Sequence, residues 1–290
     1  MRFKLIAAEK AHYPVRKLCR VLDVSPSGFY AWSKRSESKR SVENRRLAVK
    51  VKAAFELGRT YYGSPRVHFE LGAQGERVGR NRVIRLMQLQ NLKARIPRRY
   101  RSTTMSDHDQ PIAPNLLNRK FEAAAPNQRW VGDTTELRIG SSGQKLYLAA
   151  IVDLFSRFAV GWAVSAVNDR HLTLKALDMA LRRRCPDDGL LHHSDRGSTY
   201  ASEDYRKALE AHDITCSMSR RGNCYDNAAM ESWFSTVKSE LGECFESYAD
   251  AKEQLFDYIE VFYNQQRRHS SIGYASPAAH ERAMRVKLAA

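Results

Sequence analysis

Residues 192 to 200 read HHSDRGSTY, which places two histidines and an aspartate within four positions. Such a cluster suits a zinc site, a pH-sensitive loop or one corner of another catalytic centre. The zinc reading is weak on spacing. His192 and His193 are adjacent on what reads as a short strand, so they point to opposite faces. No HxxxH or cysteine partner is in sight. Asp195 is better placed, because it ends the strand GLLHHSD (189 to 195), where α/β sheets tend to carry functional groups. Asp133 lies inside the β-branched stretch QRWVGDTTELRI (128 to 139), where an aspartate is disfavoured and costly to bury unpaired. Glu231 sits a little over one turn into a helix starting at Asp226. Singly these are an edge or capping aspartate, a turn aspartate before Gly197 and a surface glutamate. Together, three acids on two strands and a helix can converge on hard divalent cations. Carboxylate oxygens suit Mg²⁺ or Mn²⁺, and two such ions ~3.5–4 Å apart clamp both oxygens of an in-line phosphoryl transfer. Lys238 follows Glu231 by seven residues on nearly the same helix face, a cation placed to hold a phosphate. His193 shares a strand face with Asp195 and is expected as a neighbour that tunes the site. Glu136, three residues along from Asp133, falls on the other face.

The elements that must position these groups form an α/β pattern from residue 126 onward. QRWVGDTTELRI reads as a strand, GSSGQ (140 to 144) as a hairpin turn, and KLYLAAIVDLFSRFAVGWAVS (145 to 165) as two strands around a turn near Leu154 to Arg157. HLTLKALDMALRRR (171 to 184) and SEDYRKALEAHD (202 to 213) are helical, and ITCSMS (214 to 219) is strand-like. DNAAMESWFSTVKSEL (226 to 241) starts a helix with Asp226 as N-cap. A three-strand meander followed by alternating helix and strand predicts a mixed sheet with helices on its faces.

The front of the chain differs in kind. Net charge is +16 over 290 residues; residues 1 to 120 hold 27 Lys+Arg against 9 Asp+Glu, while 121 to 290 hold 21 against 23. A basic front half on a near-neutral rear half is the footprint of a polyanion binder joined to something else. HYPVRKLCRVLDVSPSGFYAWSKR (12 to 35) reads as two short helices about a tight turn. Ser25-Pro26 supplies the cap and first-turn proline, Phe29 and Trp32 face inward, and Lys34 and Arg35 face outward. This is the helix-turn-helix pattern. After a charged helix (41 to 57) the pattern recurs over residues 61 to 92, with Ser64-Pro65 repeating the cap. There Val83, Ile84 and Met87 pack, and Arg80, Arg82 and Arg85 lie elsewhere. Residues 93 to 115 form a basic, then Pro/Ser/Thr-rich linker whose Arg98 and Arg99 can track phosphates. The expected division is 1–60 for a helix-turn-helix and its following helix, 61–95 for a second such unit, 96–125 for a basic linker, 126–245 for a catalytic core, and 246–290 for a C-terminal helix and tail. Five cysteines without a CxxC pair are expected as reduced, mostly buried thiols. LYLAAIV (146 to 152) falls far short of the ~20 residues of a membrane span, and MRFKLIAAEK has too short an apolar stretch for a signal peptide. A cytoplasmic protein is expected.

Thirty-five residues separate Asp195 from Glu231, and WVGDTT, HHSDRGSTY and SRRGNCYDNAAMESWFSTVKSE occur in this order. In these features the chain resembles the DDE transposases of bacterial insertion sequences, in particular the second-frame (orf B) product of insertion-sequence family three. YYGSPRVH and the closing YNQQRRHSSIGYASPAAHE (263 to 281) are similar to that family too, so the resemblance covers nearly the whole chain. It implies an integrase catalytic core of ribonuclease-H-like α/β fold, preceded by an all-α helix-turn-helix DNA-binding region. It implies that Asp133, Asp195 and Glu231 are the catalytic acids and hold two Mg²⁺ ions, with Mn²⁺ able to substitute, and that Lys238 contacts element-end DNA. The implied reaction is cleavage and strand transfer on double-stranded DNA, at element ends and target. Self-assembly on DNA is expected, as is an upstream-frame helix-turn-helix protein or fusion as partner. The family commonly has glutamine where Thr199 stands and an aromatic near Glu136. Two alternatives stay open: a ribonuclease-H-like nuclease that cuts without joining, and a DNA-binding regulator with a silent core. The intact acidic trio argues against the regulator, and the basic front half argues against a simple nuclease.

Overall fold

The computed structural model describes residues 1–95, 111–141, 143–221 and 223–288; Arg98 and Arg99 lie outside them. Strands β1 (Arg129–Ile139), β2 (Gln144–Asp153) and β3 (Ala159–Ser165) form an antiparallel meander. On the other edge of β1, β4 (Leu191–Ser194) pairs in parallel, and β5 (Thr215–Met218) pairs in parallel with β4. The order is β3-β2-β1-β4-β5, with short β6 (Cys244–Phe245) pairing beyond, on β1. Parallel neighbours require crossovers. Helix α7 (Arg170–Arg184) precedes β4, and α8 (Ser198–Ala201) with α9 (Glu203–Glu210) connects β4 to β5. Helix α7 lies so close to β3 that a Cβ on Gly161 would sit 2.1 Å from the Ala176 carbonyl, so this strand position requires glycine.

Strand alternation sorts side chains into two cores. Trp130, Ala149, Ile151 and Val160 bury with Leu177 of α7 and Leu209 of α9. Val131, Leu137, Ala150 and Val152 bury with Trp233, Phe234 and Val237 of α10 (Ala228–Glu240). Into that second core also pack α11 (Tyr248–Phe256) and the π-helical segment Asp257–Tyr263 that continues it. Helix α12 (Pro277–Leu288) is tied to the core by buried Glu281, which accepts from Ser156 Oγ at 2.6 Å and from both terminal nitrogens of Arg184.

The front region has two parts. Helices α1 (Arg2–Glu9), α2 (Val15–Val21) and α3 (Pro26–Lys34) enclose a small core of Ile6, Cys19 and Phe29. The α2–α3 turn passes through Asp23 at φ 51°, and Ser25 caps α3 by accepting from the Gly28 amide at 3.0 Å. Helix α4 (Lys39–Leu57) packs on α5 (Ser64–Ala73) and α6 (Arg80–Leu89), and their apolar residues join the second core. Arg268 bonds Glu70 at 2.6 Å, its amide donates to the Tyr62 hydroxyl at 2.9 Å, and Phe69 stacks on Tyr274 at 4.0 Å.

Several local readings change. Asp226 is not an N-cap: a 3₁₀ turn, Cys224–Asn227, precedes α10, Asn227 takes the cap position, and Asp226 is buried. Gly63 rather than Ser64 precedes α5, and Leu86 is buried where Ile84 is only half-buried. Of the four cysteines whose side chains are described, all are free but only Cys19 is buried. Cys185 is exposed because it ends α7 in a left-handed turn, and Cys244 because it lies on the short β6. No described helix is long and apolar enough to cross a membrane.

Candidate active site

The β1–β4 register ends at Gly132↔Ser194, so Asp133 and Asp195 each follow the last pair, side by side on adjacent strands. Alternation puts Asp133 on the same side as Val131, the α10 side of the sheet. The two histidines fix the sides of β4. His192 Nε2 meets the Tyr205 hydroxyl at 3.1 Å in the α7–α9 core. His193 turns the other way, with Nδ1 2.8 Å from Ser217 Oγ and Nε2 3.2 Å from Ser219 Oγ. Asp195, two residues on, shares that side. Helix α10, which carries Glu231, packs against β1.

Backbone amides orient both aspartates: Thr134 N–H donates to Asp133 Oδ1 at 2.7 Å, and Gly197 N–H to Asp195 Oδ1 at 2.8 Å. Burial pushes the Asp133 carboxyl well above the ordinary range; the charge of Asp195 adds to this, as does that of Glu231, and only the Thr134 amide opposes. Burial also raises Glu231. Among the described residues, no three His, Cys, Asp or Glu side chains stand close enough together to hold a metal ion. The preformed part is therefore the aspartate pair, with Glu231 within electrostatic reach. Like carboxylates gathered in a partly dry site favour any cation that can replace the proton.

Lys238 is half-buried, and burial lowers its ammonium pKa against the opposing pull of Glu243 and Glu136. Glu136 is exposed and paired with Lys145 at 2.9 Å. His193 is pushed down to about 4 by burial, with Asp226 opposing, so it is neutral near pH 7. Both of its ring nitrogens are taken by serine hydroxyls on or just beyond β5. Arg80, Arg85, Lys34 and Arg35 are exposed. Arg82 instead donates to Asn44 at 2.8 Å and Glu43 at 2.9 Å, pinning α6 to α4.

Sequence reasoning missed Asp226. Its Oδ2 accepts from Asn115 Nδ2 (2.8 Å), the Arg220 amide (3.0 Å) and Arg220 Nε (2.9 Å). Its Oδ1 accepts from Arg119 Nε and Arg220 Nη2, both at 2.9 Å. The Arg220 hydrogen bonds foremost hold this carboxyl far below its ordinary value. The arginine six positions earlier was the available signal, but helix-cap logic absorbed it.

Residues 123–224 and 212–277 match integrase core domain families, and residues 42–100 match an HTH-like domain. The chain is 45% identical to an insertion element IS600 uncharacterized 31 kDa protein of Shigella sonnei over 264 residues, 90% of this chain and 96% of that protein. It is 39% identical to transposase InsF for insertion sequence IS3A of Escherichia coli (strain K12) over 285 residues, 97% of this chain and 98% of that protein. A structure of the HTLV-2 integrase catalytic core domain in complex with magnesium matches with a TM-score of 0.42 at 18% identity, covering 55% of this chain and 99% of that one.

Proposed function

The chain belongs to the family of insertion-sequence IS3 transposases, and from that premise we propose that it is a DDE-type polynucleotidyl transferase whose catalytic acids are Asp133, Asp195 and Glu231. The observation that carries this reading is the placement of two strand carboxylates side by side, facing the helix that bears the third. The donor set is all oxygen, and the raised Asp133 carboxyl marks a site short of positive charge, so it fits hard divalent cations. Asp133, Asp195 and Glu231 would hold two Mg²⁺ ions, or Mn²⁺ in their place, which would supply Lewis-acid polarisation of a phosphodiester.

The chain's own part is positioning. Asp133 and Asp195 are held on rigid strands with one oxygen each fixed by a backbone amide. Glu231 arrives on α10, whose entry is locked by the Asp226 network. Lys238, on the same helix, takes a DNA phosphate, and neutral His193 keeps β4 against β5. Water and then a DNA 3′-hydroxyl attack in line, with no covalent protein intermediate, so catalysis rests on orientation and charge neutralisation. Lys34, Arg35, Arg80 and Arg85, with Arg98 and Arg99 of the linker, supply duplex-DNA contacts. Self-assembly on DNA and an upstream-frame helix-turn-helix partner complete the reading.

Purified protein with Mg²⁺ and its own element ends is expected to cleave and join DNA strands. Asp195→Asn should lower joining roughly a hundredfold or more; full joining by that variant would remove Asp195 from the assignment. A wild-type reaction that yields only nicks would favour a nuclease.

A further inference from the structure

One cavity opens beside α10 and a second adjoins it, and neither is lined by the acidic trio. One, of about 290 Å³, is lined by Arg157, Ser232, Trp233, Thr236, His269 and Ser271 among others. The other, of about 720 Å³, is lined by Arg119, Lys120, Glu122, Arg129 and Arg157 among others. Phe121 and Arg157 line both, so the two form one groove.

The groove has a surplus of positive charge. Buried His269 is held well below its ordinary pKa by burial and then by Arg267, Arg66 and Arg157, so it is neutral. Glu240 serves two of these guanidiniums: it accepts from Arg267 at 2.7 and 2.6 Å and lies 3.7 Å from Arg66. Arg157, at φ 63° in the β2–β3 turn, donates to the Phe121 carbonyl at 3.2 Å and forms no ion pair among the described residues. The acids that reach it electrostatically are Asp153 and Glu122. Asp153 spends its oxygens on the Asn127, Phe155 and Ser156 amides and the Trp130 indole, and Glu122 lies at the exposed rim. Trp233, 4% exposed, forms the apolar floor of the cavity, and its buried indole N–H is directed to the Tyr263 hydroxyl.

We propose that this groove seats a backbone phosphate of a DNA strand, with Arg157 as the cation and the exposed Ser232 hydroxyl as a donor. An extended polyanion fits better than a small anion, because the groove continues past Arg157 to Lys120 and Arg129. Ser232 adjoins Glu231 on α10, so a strand seated here touches the helix that delivers the third acid. The proposal rests on the transposase reading above.

The test is the salt dependence of binding to a labelled element-end duplex, measured by fluorescence anisotropy with the full chain in EDTA. Loss of one phosphate contact flattens log K against log salt by about 0.9. Arg157→Gln should weaken binding several-fold and flatten the slope by about one, and Arg157→Lys should restore the slope. Ser232→Glu, at an exposed helix position, should weaken binding in the same way and decides the matter if Arg157→Gln unfolds. An unchanged slope in a folded Arg157→Gln protein, or unchanged affinity in Ser232→Glu, overturns the proposal. So does thermal protection by inorganic phosphate that needs Arg157 while the duplex slope is untouched, since that describes a free-anion site. A wild-type protein that binds no duplex sinks the transposase reading itself, whereas one that binds and joins while Arg157→Gln keeps its slope sinks only the groove.

Discussion

Asp133 is ionised at a cost, because burial and two like charges favour its protonated form. With the folded pKa above the unfolded value, the native state binds the extra proton, so the metal-free protein loses stability as pH rises from the ordinary carboxylate range, near 4, through the raised pKa. Asp133→Asn should therefore raise the unfolding midpoint at pH 7–8 by the equivalent of about 0.5–2 kcal/mol while abolishing joining. The gain should vanish near pH 4 in thermal melts run in EDTA; a variant less stable than wild type at neutral pH would contradict this. His193 works with the opposite sign. Its pKa falls to about 4 in the folded state, so stability should drop as pH falls from about 6.5 toward 4, and His193→Asn should give a shallower decline in the same melts. The residue types of this site were legible because an aspartate inside an apolar strand is conspicuous. Asp226 was legible only in part: Arg220 lies six positions away, but Asn115 and Arg119, which complete its cluster, lie more than a hundred.

At the level of elements, the Asp226 network fixes how the chain enters α10. Removing one member of a buried charge cluster leaves the others unpaired, though Arg119 and Arg220 keep part of their surface in water. Asp226→Ala should cost about 2–4 kcal/mol, read from the urea midpoint. It should also depress joining further than the unfolded fraction accounts for, because Glu231 lies five residues beyond. Joining that falls only in step with stability would mean that the cluster holds the fold and does not place the helix. Strands and amphipathic helices could be read from periodicity because each buries one face. Their partners could not: Leu47, Val51, Ala54 and Phe55 announce a buried face on α4, but nothing in their spacing says that it meets α5 and α6 rather than α3. The π-helical continuation of α11 and the two-residue β6 leave no periodic trace at all.

Across the whole molecule, charge and packing divide differently. The basic excess spans the first 120 residues, but only α1–α3 have a core of their own; α4–α6 share theirs with the sheet and the C-terminal segment. Residues 1–35 carry eight Lys+Arg against two Asp+Glu and add nothing to the main core, so under the proposed function their contribution is to phosphate contacts. A chain lacking residues 1–38 should melt within about 2 °C of the full protein, since a separately packed unit contributes little to the cooperative unfolding of the rest. Its affinity for duplex DNA at 0.15 M salt should fall by about ten- to a hundredfold, with a visibly flatter salt slope. Extending the deletion through residue 92 should behave otherwise, because it strips Tyr62, Glu70 and Phe69 from Arg268 and Tyr274 and opens the second core. That longer truncation should lose the cooperative transition in calorimetry. If it melts as sharply as the shorter one, α4–α6 are an appendage like α1–α3, and the continuity of the core across the two halves carries no stability.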